Sequence, residues 1–467
     1  MTWKPRIAIA ALFALSAAAP ALAKPIPLVV RTESGPVRGV LDGPVQSWKG
    51  VPFAAPPVGP LRWRAPQPVT PWAPVRDASA YGHDCMQTPF PSDAAPLGTP
   101  PSEDCLYLNV WRPAAAHARL PVLLWIYGGG FVNGGSSPPT YSGAAMAARG
   151  VVFVSFNYRV GRFGTFAHPA LTRADEDRGL RANYGTLDQI AALNWVRRNI
   201  ARFGGDPANI TVAGESAGGM SVHTLLTSPL TRGSVRRAIV MSGGDGVGMG
   251  AGTLAGAEET GAAFGESKGV RRDDPQALVK LRTLTAEQVT DGLNLAQLFG
   301  PGKRTFSSPF PDGRIAADVG AAYRSGRFNR VPVMIGATSA DIGGPTGAMI
   351  AGARTLARVL AAQGVPVYAY RFSYVTSAVG SPGAQHATDI PFFFNTERIK
   401  YGAQTTTRDA AMGATIADAV ARFARTGDPN GGGLPRWPRY DPASDTIMDF
   451  AADGTPAAIR DPLAPVR

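Results

Sequence analysis

The sequence predicts an α/β fold in which a mostly parallel central sheet carries helices on both faces. Seven apolar runs of strand length are nearly uninterrupted, which is typical of strands buried on both faces of a parallel sheet. Helical patterns lie between several of these runs, and parallel strands need such crossover connections. The runs lie at residues 106–111, 120–127, 151–158, 210–214, 235–242, 331–336 and 366–375.

Composition favours one globular domain built from these elements. The chain has 467 residues, of which 45% are hydrophobic and 17% charged, so it can bury a large core. The 55 glycines and 42 prolines indicate many loops around that core. We expect residues 24–467 to form a single domain.

The N-terminus has the pattern of a secretory signal peptide. Lys4 and Arg6 form a basic start, residues 7–19 are apolar, and Ala21-Leu22-Ala23 fits an A-x-A cleavage site. The apolar stretch is too short to span a bilayer comfortably, although an uncleaved anchor stays open as the alternative. We therefore expect an exported protein, periplasmic or extracellular, whose signal peptide ends at Ala23.

The charge pattern does not indicate a nucleic-acid partner. The formal net charge is +12, and removing the signal segment takes away two basic residues and no acidic one, which leaves +10. The arginines are scattered, with no run longer than two, and no nucleic-acid-binding motif accompanies them. No other stretch approaches 18 apolar residues, so we expect no membrane attachment beyond export.

The remaining segments complete the predicted layout. Residues 26–40 predict a strand hairpin that turns at Glu33-Ser34-Gly35. Residues 50–72 contain too many prolines for a helix or a central strand and predict an ordered loop. Gly427 and Pro429 end the last helical pattern. The helical patterns cover residues 187–203, 251–298 and 414–426, and the second of them predicts an insertion between two strands.

The most informative motif is Gly-Glu-Ser-Ala-Gly at residues 214–218. It places Ser216 between a β-branched run and a helical pattern. A G-x-S-x-G turn in this context predicts a nucleophile elbow, which lifts the serine hydroxyl out of the sheet edge. Glycines at the flanking positions avoid a backbone clash in so sharp a turn. The alternative is an ordinary glycine-rich connection from strand to helix.

A nucleophilic serine needs a base, and His386 is the candidate. In sheets of this kind the base lies on a loop after the last core strand, later in the chain than the nucleophile and the acid. Only His386 among the five histidines has that position. His223, on the helix after Ser216, is expected to be buried and bonded to a partner. The others are expected in loops or at the surface: His83, His117 and His168.

A carboxylate must then orient the imidazole and stabilise its charged form. Asp341 lies just past the apolar run at 331–336 and is the predicted acid. Asp312 is an alternative, but it precedes that run and predicts a turn. Asp389, three residues after His386, is a second alternative.

An oxyanion hole is predicted directly after the apolar run at 120–127. Three glycines follow it, and only glycine lets the backbone turn its N–H groups inward toward a closely approaching ester. We assign Gly129 and Gly130 as donors, joined by the N–H of Ala217 at the start of the predicted helix. Taken alone, three glycines also fit a flexible turn.

Several motifs in this order resemble the type-B carboxylesterase/lipase family, which has a cholinesterase-like α/β-hydrolase fold. The resemblance covers nearly all of the chain after the signal segment. It implies helical insertions near the active site, carboxylic ester hydrolysis, and a disulfide between Cys85 and Cys105. An exported chain with one cysteine pair is also expected to oxidise it, two free buried thiols being the alternative. The motifs are GVPFAAPPVGPLRW at 50–63, EDCLYLNVWRP at 103–113, WIYGGGF at 125–131, GESAGG at 214–219 and FARTGDPN at 423–430.

Two departures from the family pattern affect the expected site. The acid is usually Glu in a D-E-G triplet, whereas Asp341 is shorter, so its loop must lie closer to His386. Only 45 residues separate the two, fewer than is usual in the family, and they contain one convincing helix. We therefore expect a shallower, more open cavity. Glu215 matches the family's Glu before the serine, and is either a charge that favours the imidazolium or a structural hydrogen-bond acceptor.

The residues and the resemblance together predict acyl transfer through a covalent intermediate on Ser216, with a small-molecule ester as substrate. The sequence shows no Cys/His cluster, phosphate loop or dinucleotide fingerprint, so we expect neither a metal nor an organic cofactor. Amide, thioester or carbamate hydrolysis is one alternative, and a non-catalytic, neuroligin-like binding protein is another. The acyl pocket is expected after residues 241–244, together with four aromatic residues that equally fit a core: Phe310, Phe392, Phe393 and Phe394.

Overall fold

A computed structural model of the protein describes residues 1–2, 27–90, 95–115, 119–246, 252–298 and 306–463. The predicted signal peptide, residues 1–23, lies outside the described residues except for its first two positions, and His117 lies outside them as well. In the described ranges, no helix is both long and apolar enough to cross a membrane.

Within the described residues, an 11-stranded sheet forms the centre of the molecule, and seven neighbouring strands in it are parallel. The strands are β1 (Val29–Arg31), β2 (Pro36–Arg38), β3 (Val40–Asp42), β4 (Val45–Pro52), β5 (Arg76–Asp77), β6 (Tyr107–Pro113), β7 (Leu120–Ile126), β8 (Val152–Phe156), β9 (Thr165–Phe166), β10 (Ala182–Asn183), β11 (Gly205–Glu215), β12 (Arg237–Met241), β13 (Val333–Thr338), β14 (Val367–Phe372), β15 (Thr446–Phe450) and β16 (Pro456–Arg460). Their order across the large sheet is β16-β15-β14-β13-β12-β11-β7-β8-β6-β4-β3.

Helices connect and cover these strands. They are α1 (Ala144–Ala148), α2 (Gly161–Gly164), α3 (Pro169–Ala174), α4 (Tyr184–Asn199), α5 (Ala217–Thr227), α6 (Leu254–Ser267), α7 (Ala277–Arg282), α8 (Ala286–Thr290), α9 (Leu295–Leu298), α10 (Val319–Arg324), α11 (Ala348–Ala362), α12 (Ile390–Phe394), α13 (Glu397–Tyr401) and α14 (Thr407–Thr426).

The predicted sheet is confirmed. Each of the seven apolar runs forms a strand, in chain order β6, β7, β8, β11, β12, β13 and β14. Every residue of β8, β12, β13 and β14 is buried, and such burial requires cover on both faces of the sheet. The sequence does not predict β4, which pairs antiparallel with β6, because its residues VQSWKGVP lack a continuous apolar run.

The predicted helices are present with shifted ends. The pattern at 187–203 forms α4 and a 3₁₀ turn at Ile200–Phe203. The insertion at 251–298 contains α6, α7, α8 and α9. The last helix, α14, starts after a capping box at Thr406 and ends at Gly427, whose φ of 83° lies in the left-handed region that favours glycine.

The N-terminal part of the chain follows the prediction except at residues 50–52, which are expected in a loop but end β4, because Val51 and Pro52 pair with β6. β1 and β2 form an antiparallel hairpin in which the N–H of Thr32 donates to the carbonyl of Gly35 (2.9 Å). Beyond the end of β4, residues 53–72 form irregular structure with one 3₁₀ turn at Gly59–Leu61. Cys85 and Cys105 form a disulfide, so the predicted pairing is present and the alternative of two free thiols is wrong.

Candidate active site

Ser216 occupies a tight turn between β11 and α5. Its φ and ψ of 56° and −124° are strained for a residue with a side chain. The flanking glycines make the turn possible. A Cβ at Gly214 would lie 2.4 Å from the Gly218 backbone, and a Cβ at Gly218 would lie 2.0 Å from the Ile126 carbonyl oxygen. The backbone geometry is thus that of the predicted elbow.

His386 lies between Ser216 and Asp341. Its Nε2 is 2.9 Å from the Ser216 hydroxyl oxygen, and its Nδ1 is 2.7 Å from a carboxylate oxygen of Asp341. The structure therefore brings together the three predicted residues, which come from loops after β11, β13 and β14.

The loops of the acid and the histidine are joined just before the two functional residues. Ala340 and Gln385 form an isolated parallel bridge, in which the Ala340 N–H donates to the Ala384 carbonyl (2.8 Å). Asp341 and His386 are the next residues on the two loops. This short connection explains how an aspartate reaches the imidazole where the family pattern has the longer glutamate.

The Asp341 carboxylate is buried and accepts several hydrogen bonds. Its Oδ2 accepts from the hydroxyls of Ser242 (2.6 Å) and Thr338 (3.0 Å), and its Oδ1 accepts from the Ile342 N–H (2.8 Å). Burial by itself raises the pKa of Asp341. The hydrogen bond and charge of His386, with the bond from Ser242, outweigh it and hold that pKa below its usual value. Asp341 is therefore ionised at neutral pH.

Ser242 was missed as a partner of the acid by sequence reasoning. It follows the end of β12, beside β13, and its φ of 46° is unusual for a non-glycine residue. Its hydroxyl is buried and directed at Asp341. The available signal was its place at the carboxyl end of a central strand, next to the strand that precedes the predicted acid.

Glu215 places a second buried carboxylate beside the histidine. One of its oxygens is 3.2 Å from Nε2 of His386. Burial lowers the pKa of His386, but the negative charges of Glu215 and then Asp341 outweigh burial and raise that pKa above its usual value. The two carboxylates therefore favour the imidazolium form of the ring.

The alternative acids do not bond to His386 in the described part of the chain. Asp312 closes a turn, since one of its oxygens accepts from the N–H groups of Ile315 (2.7 Å) and Ala316 (3.0 Å). Asp389 is fully buried, and burial, followed by the charge of Asp341, raises its pKa to about 7. Of the three predicted candidates, Asp341 is the one that is hydrogen-bonded to His386 in the described part of the chain.

None of the other described histidines is hydrogen-bonded to Ser216. His223 is buried with its Nδ1 2.8 Å from the Tyr323 hydroxyl, as predicted, and burial lowers its pKa to about 4. His83 is exposed, also as predicted. His168 lies in the loop between β9 and α3, as predicted, but it is not exposed. Its ring is buried beside Phe166, and its Nδ1 accepts from the Ala170 N–H at the start of α3.

The glycine loop after β7 faces the elbow. Gly129 and Gly130 have φ values of 101° and 62°, which favour glycine, and a Cβ at Gly128 would lie 2.9 Å from the Ser216 Cβ. In the ranges that the structure describes, the N–H groups of Gly129 and Gly130 donate to no other backbone carbonyl. Ala217 is the first residue of α5, so its N–H has no partner within the helix.

A cavity of about 380 Å³ opens above the serine. Apart from the residues already placed around Ser216, its lining is mostly apolar and includes Phe90, Ala95, Phe131, Tyr141, Met220, Leu295, Ile342, Ala348, Met349 and Ile390. Between Asp341 and His386 the only α-helix is α11, as predicted, and Met349 from its first turn lines the cavity. The predicted openness of the cavity stays a prediction.

The four aromatic residues offered for the acyl pocket belong to the core. None of them lines the cavity around Ser216. Phe394 packs edge-on against Trp125 of β7 (4.6 Å between ring centroids), and Phe392 packs against Phe372 of β14 (5.3 Å). The short helix α12 directs these rings at the sheet, while Ile390 at its start lines the cavity. Phe310 packs in a small cluster with Ala167 and Ala257.

The parallel sheet, the strand–serine–helix elbow, and the acid and histidine on later strand ends define an α/β-hydrolase. The fold comparison agrees. A solved PNB esterase superposes with a TM-score of 0.80 at 31% identity, covering 93% of this chain and 97% of that one. A carboxylesterase of Geobacillus stearothermophilus gives 0.79 at 33% identity, covering 93% and 98%.

The chain belongs to the carboxylesterase family, whose model matches residues 27–348 and 345–461. It is 34% identical to a fumonisin B1 esterase of Sphingopyxis macrogoltabida, over 91% of this chain and 86% of that protein. It is also 34% identical to a para-nitrobenzyl esterase of Bacillus subtilis, over 88% and 92%. The protein is a carboxylic ester hydrolase of the type-B kind, and its substrates are small-molecule esters.

Proposed function

We propose that the protein is an exported serine esterase that hydrolyses carboxylic esters through an acyl-enzyme on Ser216. The observation that carries this proposal is the continuous hydrogen-bonded chain from the Ser216 hydroxyl through His386 to Asp341, with distances of 2.9 Å and 2.7 Å. This is the arrangement that serine hydrolases use to activate a hydroxyl.

In the first half of the reaction, His386 takes the hydroxyl proton as Ser216 attacks the ester carbonyl carbon. The resulting imidazolium is stabilised by Asp341, which stays ionised, and it then protonates the leaving alkoxide. In the second half, His386 removes a proton from water. The hydroxide attacks the acyl carbonyl, and the carboxylic acid leaves as Ser216 regains its proton.

The backbone N–H groups of Gly129, Gly130 and Ala217 donate hydrogen bonds to the negatively charged oxygen of the tetrahedral intermediate. Fixed donors of this kind stabilise a transition state because they need no reorganisation during the reaction. The absence of other backbone acceptors for the two glycine amides, among the described residues, supports this role.

We assign Glu215 a role as a charge beside the imidazole rather than a purely structural one. Its carboxylate lies 3.2 Å from Nε2 of His386, close enough to stabilise the imidazolium that forms in each half-reaction. The cost is that more of the resting enzyme holds His386 protonated, so the working pH range moves upward.

Export and the single catalytic domain over residues 24–467 complete the proposal. A signal pattern in the sequence and a formed disulfide both support an oxidising compartment, periplasmic or extracellular. N-terminal sequencing of the protein from cell fractions tests the export. A mature chain that begins at Lys24 outside the cytoplasm is expected, and an intact cytoplasmic chain would contradict it.

The test of the mechanism is Ser216→Ala. We expect kcat on para-nitrophenyl butyrate to fall by about 10⁶-fold, and in any case by more than about 10³-fold, because the Ser216 hydroxyl is the one that is hydrogen-bonded to the base His386. The melting temperature should not fall, since the substitution removes only one hydroxyl. Unchanged turnover in the folded variant would remove the nucleophile assignment.

A further inference from the structure

Gln87 makes three hydrogen bonds to the loop that carries the predicted oxyanion donors. Its buried side-chain amide donates to the carbonyls of Cys85 (2.9 Å) and Gly134 (2.7 Å). Its oxygen accepts from the Gly134 N–H (2.9 Å) and from the Asn133 side-chain amide (3.0 Å). Both donor hydrogens and both acceptor positions of the glutamine are therefore used.

Gly134 is the far end of the turn that begins with the donor glycines. Its φ is 107°, and a Cβ there would lie 2.5 Å from the Tyr127 ring and 2.7 Å from the Gly128 carbonyl oxygen. The Gly129 carbonyl accepts from the Asn133 N–H (3.0 Å), which closes the turn. Because Gln87 bonds both the N–H and the carbonyl of Gly134, it fixes where this turn ends.

Asp84 holds the next residues of the same loop. Its Oδ1 accepts from the backbone N–H groups of Ser136 (3.0 Å) and Ser137 (3.3 Å), and its Oδ2 accepts from the Ser137 hydroxyl. A Cβ at Gly135 would lie 2.2 Å from the Asp84 carboxylate, so the backbone runs directly against it. We call residues 84–87 the brace.

The disulfide attaches the brace to the central sheet. Cys85 lies between Asp84 and Gln87 and is bonded to Cys105, which is buried two residues before β6. A backbone hydrogen bond from the Ser102 N–H to the Asp84 carbonyl (2.9 Å) adds a second attachment. The brace therefore holds the loop that begins with Gly129 and Gly130, the oxyanion loop, at a fixed position relative to the sheet.

We propose that Gln87 is a positioning residue for the oxyanion donors, held in place by the Cys85–Cys105 disulfide. This inference rests on the proposed function of Gly129 and Gly130. Without the Gln87 amide, the N–H and carbonyl of Gly134 lose their buried partners and the turn relaxes. Misplaced donors weaken binding of the tetrahedral oxyanion, whereas binding of the neutral ester in the apolar cavity is unaffected.

The test is Gln87→Ala, with Asn199→Ala as matched control. Asn199 is also a buried side-chain amide that joins separate segments, since it accepts from the Glu33 N–H (2.9 Å) and donates to the Trp195 carbonyl (3.0 Å). None of these bonds involves the oxyanion loop. Steady-state kinetics on para-nitrophenyl butyrate, inhibition by an alkyl trifluoromethyl ketone and the melting temperature are measured for both variants.

We expect Gln87→Ala to lower kcat by at least about tenfold and to raise the Ki of the ketone by a similar factor, with KM changed by less than about threefold. The ketone reports on the donors because its adduct with Ser216 carries the oxyanion. Asn199→Ala should lose stability without either kinetic change. Replacement of both Cys85 and Cys105 by Ser should shift kcat and Ki in the same direction as Gln87→Ala.

Unchanged kcat and Ki in folded Gln87→Ala would overturn the inference, as would the same kinetic loss in Asn199→Ala. If Gln87→Ala does not fold, kcat and Ki are measured on Gln87→Glu instead, which keeps the side-chain size and removes the two donated bonds. Unchanged values in that variant would overturn the inference. Failure of the ketone to inhibit the wild-type enzyme would instead contradict the proposed function of Ser216.

Discussion

The two halves of the candidate active site are built in different ways. The nucleophile half, β11–Ser216–α5, is fixed by steric contacts of the backbone, since neither Gly214 nor Gly218 has room for a Cβ. The acid–base half is fixed by side-chain hydrogen bonds from several strand ends, above all those that Asp341 accepts from Ser242 and Thr338.

This difference bears on what each half tolerates. The sterically fixed half should not tolerate an added side chain, because a Cβ 2.0 Å from a carbonyl oxygen forces the backbone to move. A polar arrangement can keep its function when one partner changes, provided that the carboxylate still reaches the ring. The use of Asp341 where the family pattern has Glu is an example. Substitutions in the two halves should therefore fail in different ways.

The largest effect expected within the acid–base half is that of Asp341→Asn. It keeps the shape but removes the charge and the acceptor that fix the His386 tautomer, so kcat should fall by about 10⁴-fold. Asp389→Asn is the matched control, because it removes another buried carboxylate near the ring, and its kcat should fall by less than about tenfold. A greater loss in Asp389→Asn than in Asp341→Asn would reassign the acid.

In the nucleophile half, Gly218→Ala should act through the fold. Its Cβ would meet the Ile126 carbonyl, so we expect the free energy of unfolding to fall by about 3 kcal/mol in urea titrations. Gly320→Ala, in α10, should raise it by up to about 1 kcal/mol, because the one tight contact of the new methyl is with the flexible end of Arg324 (3.0 Å) and alanine favours a helix. Equal stability of the two variants would contradict the steric account of the elbow.

A smaller effect is expected for Ser242→Ala in the acid–base half. Loss of one hydrogen bond to the Asp341 carboxylate should lower kcat by about tenfold without unfolding the protein, since the remaining donors still hold the acid. Ser228→Ala removes a buried hydroxyl that donates to the Ile315 carbonyl and should leave kcat unchanged. A loss of kcat as large as that in Asp341→Asn would show that the acid–base half tolerates substitution as poorly as the nucleophile half.

The smallest change is a shift in pH dependence on Glu215→Gln. His386 acts as a base only when neutral, so activity is lost as pH falls through its raised pKa. Removing the Glu215 charge lowers that pKa, and the acidic limb of kcat/KM against pH should move down by roughly one pH unit. Glu397→Gln, which changes a buried carboxylate on α13, should leave the limb in place. If the acidic limb of the profile does not move in Glu215→Gln, Glu215 is a structural hydrogen-bond acceptor and not a charge that acts on His386.

The contrast between the halves also explains what the sequence could predict. Ser216, Gly129 and Gly130 were identifiable because steric needs leave glycine patterns that are local in the chain. His386 followed from its position after the last long strand. The contribution of Ser242 could not be read from its neighbours, because it depends on the side-by-side pairing of β12 and β13.

Two other features also depend on packing between distant segments. The ring of His168 is buried beside Phe166. Phe394 and Phe392 pack against Trp125 and Phe372 of the sheet, which decides between the core and the acyl pocket, the two roles that the sequence leaves open for them. β4 was missed because its mixed residues gain their burial only by pairing with β6.

In the proposed mechanism the two halves meet on one hydroxyl, that of Ser216, which His386 activates. The most direct measurement is fluorophosphonate labelling of the intact enzyme, followed by mass mapping of the peptides. We predict a single adduct on Ser216 that blocks ester hydrolysis and forms at least about 10³-fold more slowly in His386→Ala. An adduct on another residue, or an active enzyme that stays unlabelled, would contradict the account.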